Sequence, residues 1–302
     1  MAGSSILVRA IHICLAGLHE DLMLLSIRSS LGYRETMRIP LALAFLAFAA
    51  PSLAAETPWQ EVAPGVRLRL IADNVLNPDG TTLLGLEVDM PPGYKTYWRV
   101  PGETGIPTEL DFAGSRGVGG HAMIWPYPVI DQTGGFTDFV YRGLTVLPAQ
   151  LTVDAASAEI KAAVTMGVCS DICVPALARF ELPLDFVKPD RSQGLRLAQA
   201  GALAPGVWDD PREPFAAVAY DPAANALSLQ LGDAGVDPAS LIADVEGGAQ
   251  LFGAPQKSPD TNLVLLPLLG GGSEGLVGKP VELTFMTDQG PFAVSRQVLP
   301  LD

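Results

Sequence analysis

The feature that most constrains the fold is a repeated alternation of apolar and polar residues in short runs. The run VRLRL at 66–70 alternates strictly, and a period of two is typical of a strand with one buried face. Clusters of Gly, Pro, Asn and Asp separate the runs, for example NPDG at 77–80 and PGETGIP at 101–107. Because strands and amphipathic helices do not alternate along the chain, the pattern predicts an all-β protein built as an antiparallel β-sandwich.

The strand-like runs fall into two groups that are separated by a segment of different character. The runs lie at 66–70, 82–90, 94–100, 108–112, 121–125, 144–153, 160–168 and 178–186, and then at 215–220, 226–231, 240–245, 262–268, 280–287 and 292–299. Between the groups, SQGLRLAQAGALA (192–204) is typical of a short helix flanked by prolines and charges. We therefore expect a β-sandwich over 57–188, a linker over 189–212 and a second, smaller β-domain over 213–302.

The N-terminal part of the sequence contains an export signal rather than a folded element. Met37-Arg38 precedes the apolar stretch 39–55, which ends in small residues, and this order is typical of a secretory signal peptide. A membrane anchor is the alternative, but the stretch is short and contains two prolines. The sequence therefore predicts a signal peptide over 37–55, a mis-annotated extension over 1–36 and a periplasmic mature chain, in a compartment where disulfides persist.

Composition excludes several classes of function. The chain has 33 acidic and 19 basic residues and a net charge of −14, so it has no excess of positive charge for binding nucleic acid. Three cysteines are too few for a disulfide-dense scaffold or a four-cysteine zinc site. A Ser-His-Asp hydrolase would have to use His121, the single histidine of the predicted mature chain, and we expect no cofactor.

A closely spaced cysteine pair is the motif that carries chemistry. The segment GVCSDICVP places Cys169 and Cys173 four residues apart, a spacing that allows a disulfide only if the chain turns between them. A five-residue loop gives about 2 kcal/mol of stabilisation in the chain-entropy model, which favours reversible exchange over a structural role. Two alternatives stay open: a structural disulfide in a binding or adapter protein, and a Cu(I) site formed with Met166, with help from His121 and Met123.

Three sequence blocks, taken in order, resemble a known family. They are GYKTYWRVPGETGIPTELDF, WPYPVIDQTGGFTDFVYRGLTVLP and GVCSDICVPALARFELPL. Together they are similar to the N-terminal periplasmic domain of DsbD-type thiol:disulfide interchange proteins, especially the ScsB-like branch. The resemblance covers roughly 59–187, and the C-terminal half also resembles the second domain of the ScsB-like branch.

The resemblance implies an immunoglobulin-like sandwich whose reversible Cys169–Cys173 disulfide relays electrons. Its partners would be a separate membrane electron donor of the DsbD/CcdA type and periplasmic thioredoxin-fold clients, because no polytopic membrane region or thioredoxin domain is evident. It points to an electron relay rather than an autonomous enzyme, and to processes such as cytochrome c biogenesis and copper tolerance. It also nominates four supporting residues: Phe136 and then Phe139 as the cap over the cysteines, and Tyr97 and then Tyr94 as hydroxyls beside them.

Overall fold

A computed structural model describes residues 55–301 of the chain. The predicted extension at 1–36 and almost all of the predicted signal peptide at 37–55 lie outside the described residues. Within 55–301, no helix is long and apolar enough to cross a bilayer. This part of the chain is all-β, and apart from two short parallel pairs its strands pair antiparallel, as the alternation predicts.

Residues 55–186, here called the N-terminal β-region, form three antiparallel sheets. The strands are β1 (Gln60–Ala63), β2 (Val66–Ala72), β3 (Thr81–Asp89), β4 (Thr96–Gly102), β5 (Glu109–Asp111), β6 (Val118–Met123), β7 (Val129–Asp131), β8 (Asp138–Tyr141), β9 (Thr145–Val153), β10 (Ser157–Cys169) and β11 (Cys173–Asp185). Their orders are β1-β2-β3-β9-β6, β11-β10-β5 and β4-β8-β7. A 3-10 turn, Thr133–Gly135, joins β7 to β8.

The sheets β1-β2-β3-β9-β6 and β11-β10-β5 enclose one apolar core. In β2, Val66, Leu68 and Leu70 are fully buried, and every second residue of β10 is buried along most of its length. Side chains from β2, β3 and β9 join those from β10 and β11 in a single cluster. Two sheets that pack face to face through alternate residues form the predicted sandwich.

A short helix and a second set of strands follow. Helix α1 (Gly194–Gly201) lies within the segment predicted to be helical. The strands of residues 206–301, here called the C-terminal β-region, are β12 (Gly206–Val207), β13 (Phe215–Asp221), β14 (Ala226–Leu231), β15 (Ile242–Asp244), β16 (Leu251–Phe252), β17 (Gln256–Lys257), β18 (Leu263–Gly270), β19 (Pro280–Thr287), β20 (Gly290–Gln297) and β21 (Leu299–Pro300). A 3-10 turn, Pro238–Ser240, precedes β15.

The C-terminal β-region has its own core. Its sheets have the orders β12-β20-β19-β15 and β16-β18-β14-β13-β21, and β17 pairs with β18. A second apolar cluster, with members from Phe215 to Val298, fills the space between them.

Two features differ from the sequence-based prediction. The expected linker contains β12, which pairs parallel with β20, and β21 pairs parallel with β13. Each of these pairs involves only two residues per strand, which is too short for an alternation of apolar and polar residues to be visible in the sequence. Strands β7 and β8 lie where no strand was predicted, and all four residues of β8 are buried. A strand covered on both faces has no polar side to alternate with.

Candidate functional site

The cysteines lie at the tip of a long β-hairpin. Strands β10 and β11 pair without a break from Ser157–Asp185 to Cys169–Cys173, so the cysteines form the last register pair before the turn at 170–172. Their Cα atoms are 4.0 Å apart and their sulfurs are bonded. The chain therefore turns between the cysteines, as the spacing requires.

The two cysteines are not equally accessible. Only 1% of Cys169 is exposed, and it packs in a small buried cluster with Tyr97 and Val140. Cys173, by contrast, is exposed. Cys173 is therefore the residue of the pair that a molecule approaching from solvent meets first.

Tyr97 is the nearest functional side chain to the disulfide. Its hydroxyl donates to Cys169 Sγ at 2.7 Å and lies 3.3 Å from Cys173 Sγ. Its ring is held between two glycines: a Cβ added to Gly105 would lie 2.1 Å from ring atom Cδ1, and one added to Gly167 would lie 3.1 Å from Cδ2. Burial raises the pKa of Tyr97 above its usual value, although Thr104 and Lys95 oppose this shift, so the phenol keeps its proton at neutral pH.

Lys95 connects the hairpin tip to a buried ionic network. Its backbone exchanges two hydrogen bonds with Cys169, at 2.8 and 2.9 Å. Its ammonium donates to Asp138 at 2.8 Å and to Asp131 at 3.0 Å, and Arg142 also contacts Asp131, at 2.7 Å. Both carboxylates are more than nine-tenths buried, and buried charges are tolerated when they are paired in this way.

Thr104 joins this network to the tyrosine. Its hydroxyl donates to Asp138 Oδ2 at 2.6 Å and lies 3.4 Å from Tyr97 Oη. A continuous series of polar contacts therefore runs from the Cys169 sulfur to the Lys95 ammonium. Within this series, the hydrogen bond from the Tyr97 hydroxyl can stabilise a thiolate at Cys169.

The pKa shifts follow the same contacts. Burial by itself would raise the pKa of Asp131, but hydrogen bonds from Thr133 and Lys95 outweigh it and hold the pKa at about 2. Burial would lower the pKa of Lys95, but its bonds to Asp138 and Asp131 raise it above the usual value. At neutral pH both partners are therefore charged.

The structure brings Tyr97 to the cysteines, whereas Tyr94 and Phe139 pack in the apolar core. Tyr94 is half-buried against the main core. Phe139 is fully buried and meets Trp98 edge-on, with ring centroids 6.2 Å apart. Phe136 is 51% exposed at the end of the 133–135 turn. Phe139 thus has the environment of a core residue, whereas Phe136 has that of a loop residue.

The loop that carries Phe136 is attached to the segment next to Tyr97. The Thr137 amide donates to the Glu103 carboxylate at 2.6 Å, and the Glu103 amide donates to the Thr137 carbonyl at 3.0 Å. The next residue after Glu103 is Thr104, which contacts Tyr97. Glu103 and Thr104 therefore connect this loop to Tyr97, which contacts the disulfide.

The structure separates two of the ligands named in the copper alternative. Met166 is fully buried in the main core, whereas Cys169 packs with Tyr97 and Val140. The two residues are three apart on β10, so their side chains point to opposite faces of the sheet. His121 is exposed and contacts the Phe112 ring. Within residues 55–301, no group of three or more His, Cys, Asp or Glu side chains is placed to hold a metal.

Sequence reasoning missed Lys95, Thr104, Asp131 and Asp138. Lys95 stands inside the GYKTYW block, directly before Thr96 and Tyr97, and a lysine in an apolar and aromatic segment was the available signal. The carboxylates carry no local signal, because Asp138 lies 43 residues from Lys95.

Comparisons with known proteins agree with this geometry. The family model described as "Thiol:disulfide interchange protein DsbD, N-terminal" matches residues 69–185. The crystal structure of the N-terminal periplasmic domain of ScsB from Proteus mirabilis superposes with a TM-score of 0.65 at 25% identity, covering 82% of this chain and 100% of that one. A comparison with curated protein sequences gives no match. Residues 69–185, which include both cysteines, therefore match the N-terminal domain family of DsbD-type thiol:disulfide interchange proteins, and the all-β fold of the chain matches that of the ScsB domain.

Proposed function

We propose that the protein relays electrons in the periplasm through the reversible Cys169–Cys173 disulfide. It would accept them from a separate membrane donor of the DsbD/CcdA type and pass them to thioredoxin-fold clients. One observation carries the proposal: Cys173 is an exposed residue, while the buried Cys169 accepts a hydrogen bond from Tyr97 at its sulfur. This asymmetry separates an attacked sulfur from a stabilised leaving sulfur.

Reduction of the protein proceeds in two exchanges. A donor thiolate attacks Cys173 Sγ, the Cys169–Cys173 bond breaks, and Cys169 leaves as a thiolate that is stabilised by the Tyr97 hydroxyl and then protonated. The second donor thiol, after losing its proton, attacks the mixed disulfide at the donor sulfur and releases Cys173 as a thiolate. The donor becomes a disulfide, and the protein becomes a dithiol with the two protons that the donor lost.

Delivery to a client follows the same steps in reverse. The Cys173 thiolate attacks the client disulfide and forms a mixed disulfide. Cys169 loses its proton and attacks Cys173 Sγ, which restores the protein disulfide and releases the reduced client. In this sequence Cys173 contacts partners and Cys169 resolves the complex.

Trapping of mixed disulfides tests the proposal. Cys169→Ser and Cys173→Ser variants are each activated as the thionitrobenzoate mixed disulfide and exposed to a thioredoxin that keeps only its attacking cysteine. We expect Cys169→Ser, whose remaining sulfur is exposed, to form the covalent complex at least about tenfold faster than Cys173→Ser. Both variants should keep the fold, because the five-residue loop contributes only about 2 kcal/mol.

The competing hypothesis, a structural disulfide in a binding or adapter protein, predicts a different result. The wild-type disulfide would exchange with neither reduced thioredoxin nor dithiothreitol until the protein unfolded. Circular dichroism recorded alongside thiol counting separates reduction of the folded protein from reduction after unfolding.

A further inference from the structure

We propose that the C-terminal β-region holds the small sheet β4-β8-β7 in place against the cysteine hairpin, and that Arg99 is the positioning residue of this contact. The inference rests on the proposed function, because the geometry that it protects is that of Tyr97 and the disulfide. It assigns a role to residues 240–282, which lie outside the segment matched by the family model.

Arg99 links the two regions two residues after Tyr97 on the same strand. Its guanidinium lies 4.4 Å from the centre of the Trp98 ring. One of its terminal nitrogens donates to Asp244 and the other to Glu282, and Arg99 itself is largely buried. A planar guanidinium that is divided between two carboxylates and stacked on an aromatic ring has little freedom to move.

The two carboxylates explain why the arginine is needed. Asp244 on β15 and Glu282 on β19 are direct cross-strand partners. Like charges placed opposite each other destabilise a sheet. Arg99 lies between these carboxylates and supplies the opposite charge, so the acidic pair forms a receptor for a cation from β4.

Three further contacts come from residues 240–254. The Tyr127 hydroxyl donates to the Ser240 carbonyl, and burial raises its pKa to about 12, so it remains a donor. The Ala254 amide lies 3.5 Å from the Thr137 hydroxyl that accepts from it. Ile242 is 1% exposed and belongs to the main apolar cluster of the N-terminal β-region.

These contacts are distributed over the whole small sheet. Arg99 lies on β4, Tyr127 lies just before β7, and Thr137 directly precedes β8. The same three strands, with Lys95 just before β4, supply Tyr97, Asp131 and Asp138. Because hydrogen bonds weaken over a few tenths of an ångström, a small displacement of this sheet would weaken the bond from Tyr97 to Cys169.

The test compares Arg99→Gln with a matched control, Arg116→Gln, which removes an exposed ion pair to Glu159 in the same β-region. The readouts are the rate of disulfide reduction by dithiothreitol across pH and the equilibrium with glutathione, both measured on the folded protein. A hydrogen bond to a charged group is worth enough for its full loss to slow a reaction tenfold or more. We expect Arg99→Gln to slow reduction about three- to tenfold, Arg99→Lys to recover part of the rate, and Arg116→Gln to match wild type.

Two more variants keep the proposal falsifiable. Asp244→Asn combined with Glu282→Gln removes the other side of the contact and should slow reduction by the same factor as Arg99→Gln, with no added effect when all three changes are combined. Thr137→Val removes the acceptor for Ala254 and should also slow reduction.

The outcomes separate this proposal from the proposed function. If the wild-type protein does not exchange with dithiothreitol while folded, the proposed function is contradicted. If the wild type exchanges and all of these variants match it in rate, pH profile and glutathione equilibrium, even with lowered melting temperatures, the contact is only structural and this proposal is overturned.

Discussion

The N-terminal and C-terminal β-regions follow the same apolar alternation but bury different polar groups. Within residues 206–301, the C-terminal β-region, the buried polar residues all carry hydroxyl groups: Ser228, Ser240, Ser258 and Thr284. In the N-terminal β-region they include three carboxylates, Glu87, Asp131 and Asp138. Hydroxyls are readily satisfied by a nearby carbonyl, whereas a buried carboxylate needs a cation and further hydrogen bonds.

The positions of those carboxylates indicate the structural role of each buried charge. Glu87 pairs with Arg69 on β2 and with Arg196 on α1, and so connects the helix to the sheet. Asp131 and Asp138 pair with Lys95, whose backbone is bonded to Cys169. The ionic cluster around Glu87 therefore connects secondary-structure elements, whereas the cluster around Lys95 lies next to the disulfide. Burial of charge beside the cysteines is a cost that a purely structural sandwich would not need.

Among the polar residues of this contrast, the largest effect is expected from Lys95→Met. The change keeps the side chain's length but leaves two buried carboxylates without their shared cation. Breaking a buried ion pair from one side typically costs 3–5 kcal/mol, and we expect about 3 kcal/mol because Arg142 still contacts Asp131. Urea unfolding measures the loss.

Lys161→Met is the matched control for this prediction. Lys161 is 40% exposed and lies 3.6 and 3.8 Å from two surface carboxylates, so its removal should cost less than about 0.5 kcal/mol. Equal losses for the two variants would contradict the view that the Lys95 network is buried.

The second test uses pH. The pKa of Asp131 is held at about 2 in the folded protein, below its usual 3.8. A carboxylate with a lowered pKa stabilises the fold above its unfolded pKa and loses that contribution as the pH falls towards its folded pKa. We expect wild-type stability to fall by about 2 kcal/mol more than that of Asp131→Asn between pH 5 and pH 2, as measured by urea unfolding. Parallel pH profiles would exclude Asp131 as a source of acid sensitivity.

These residues also show what the sequence could predict. The strands on either side of the cysteines and the turn between them were predicted from local patterns, namely period-two runs and a four-residue spacing. Tyr97 was nominated by the family resemblance of the GYKTYW block. The ionic network depends on pairing between β4, β7 and β8, across 36 to 43 residues. Local sequence does not encode such pairing, and the full burial of β8 removed the alternation that would have revealed that strand.

The third test concerns the fit of Tyr97 between glycines. Gly105→Ala would place a Cβ 2.1 Å from the Tyr97 ring, so the ring must move. Overpacking of a core typically costs 1–3 kcal/mol, and we expect about 2 kcal/mol together with slower reduction of the disulfide. Gly120→Ala is the control, because nothing lies within 4 Å of the added Cβ and Gly120 has ordinary backbone geometry. A Gly105→Ala variant that reduces at the wild-type rate would contradict the role given to the Tyr97 hydroxyl.

The smallest effect on stability is expected from Phe136→Ala, and it separates the two phenylalanines nominated as a cap. Phe139 is 1% exposed and packs on Trp98, so Phe139→Ala should cost 3–5 kcal/mol simply as a core truncation. Phe136 is 51% exposed, and its loss should change stability by less than about 0.5 kcal/mol.

A cap acts on access rather than on stability. The Phe136 ring follows Gly134 and Gly135, whose positive φ angles of 76° and 84° are readily adopted only by glycine, and the loop is bonded to Glu103 beside the Tyr97 contact. If the ring shields the Cys173 sulfur, Phe136→Ala will speed reduction by dithiothreitol about two- to fivefold and leave the stability unchanged. This effect is small, because a tenfold change in rate corresponds to only about 1.36 kcal/mol in the activation free energy. Leu144→Ala, which removes another exposed apolar side chain from the same region, should leave the rate unchanged. An unchanged rate in Phe136→Ala would remove this residue as the cap and leave Tyr97 as the only nominated aromatic residue that acts at the disulfide.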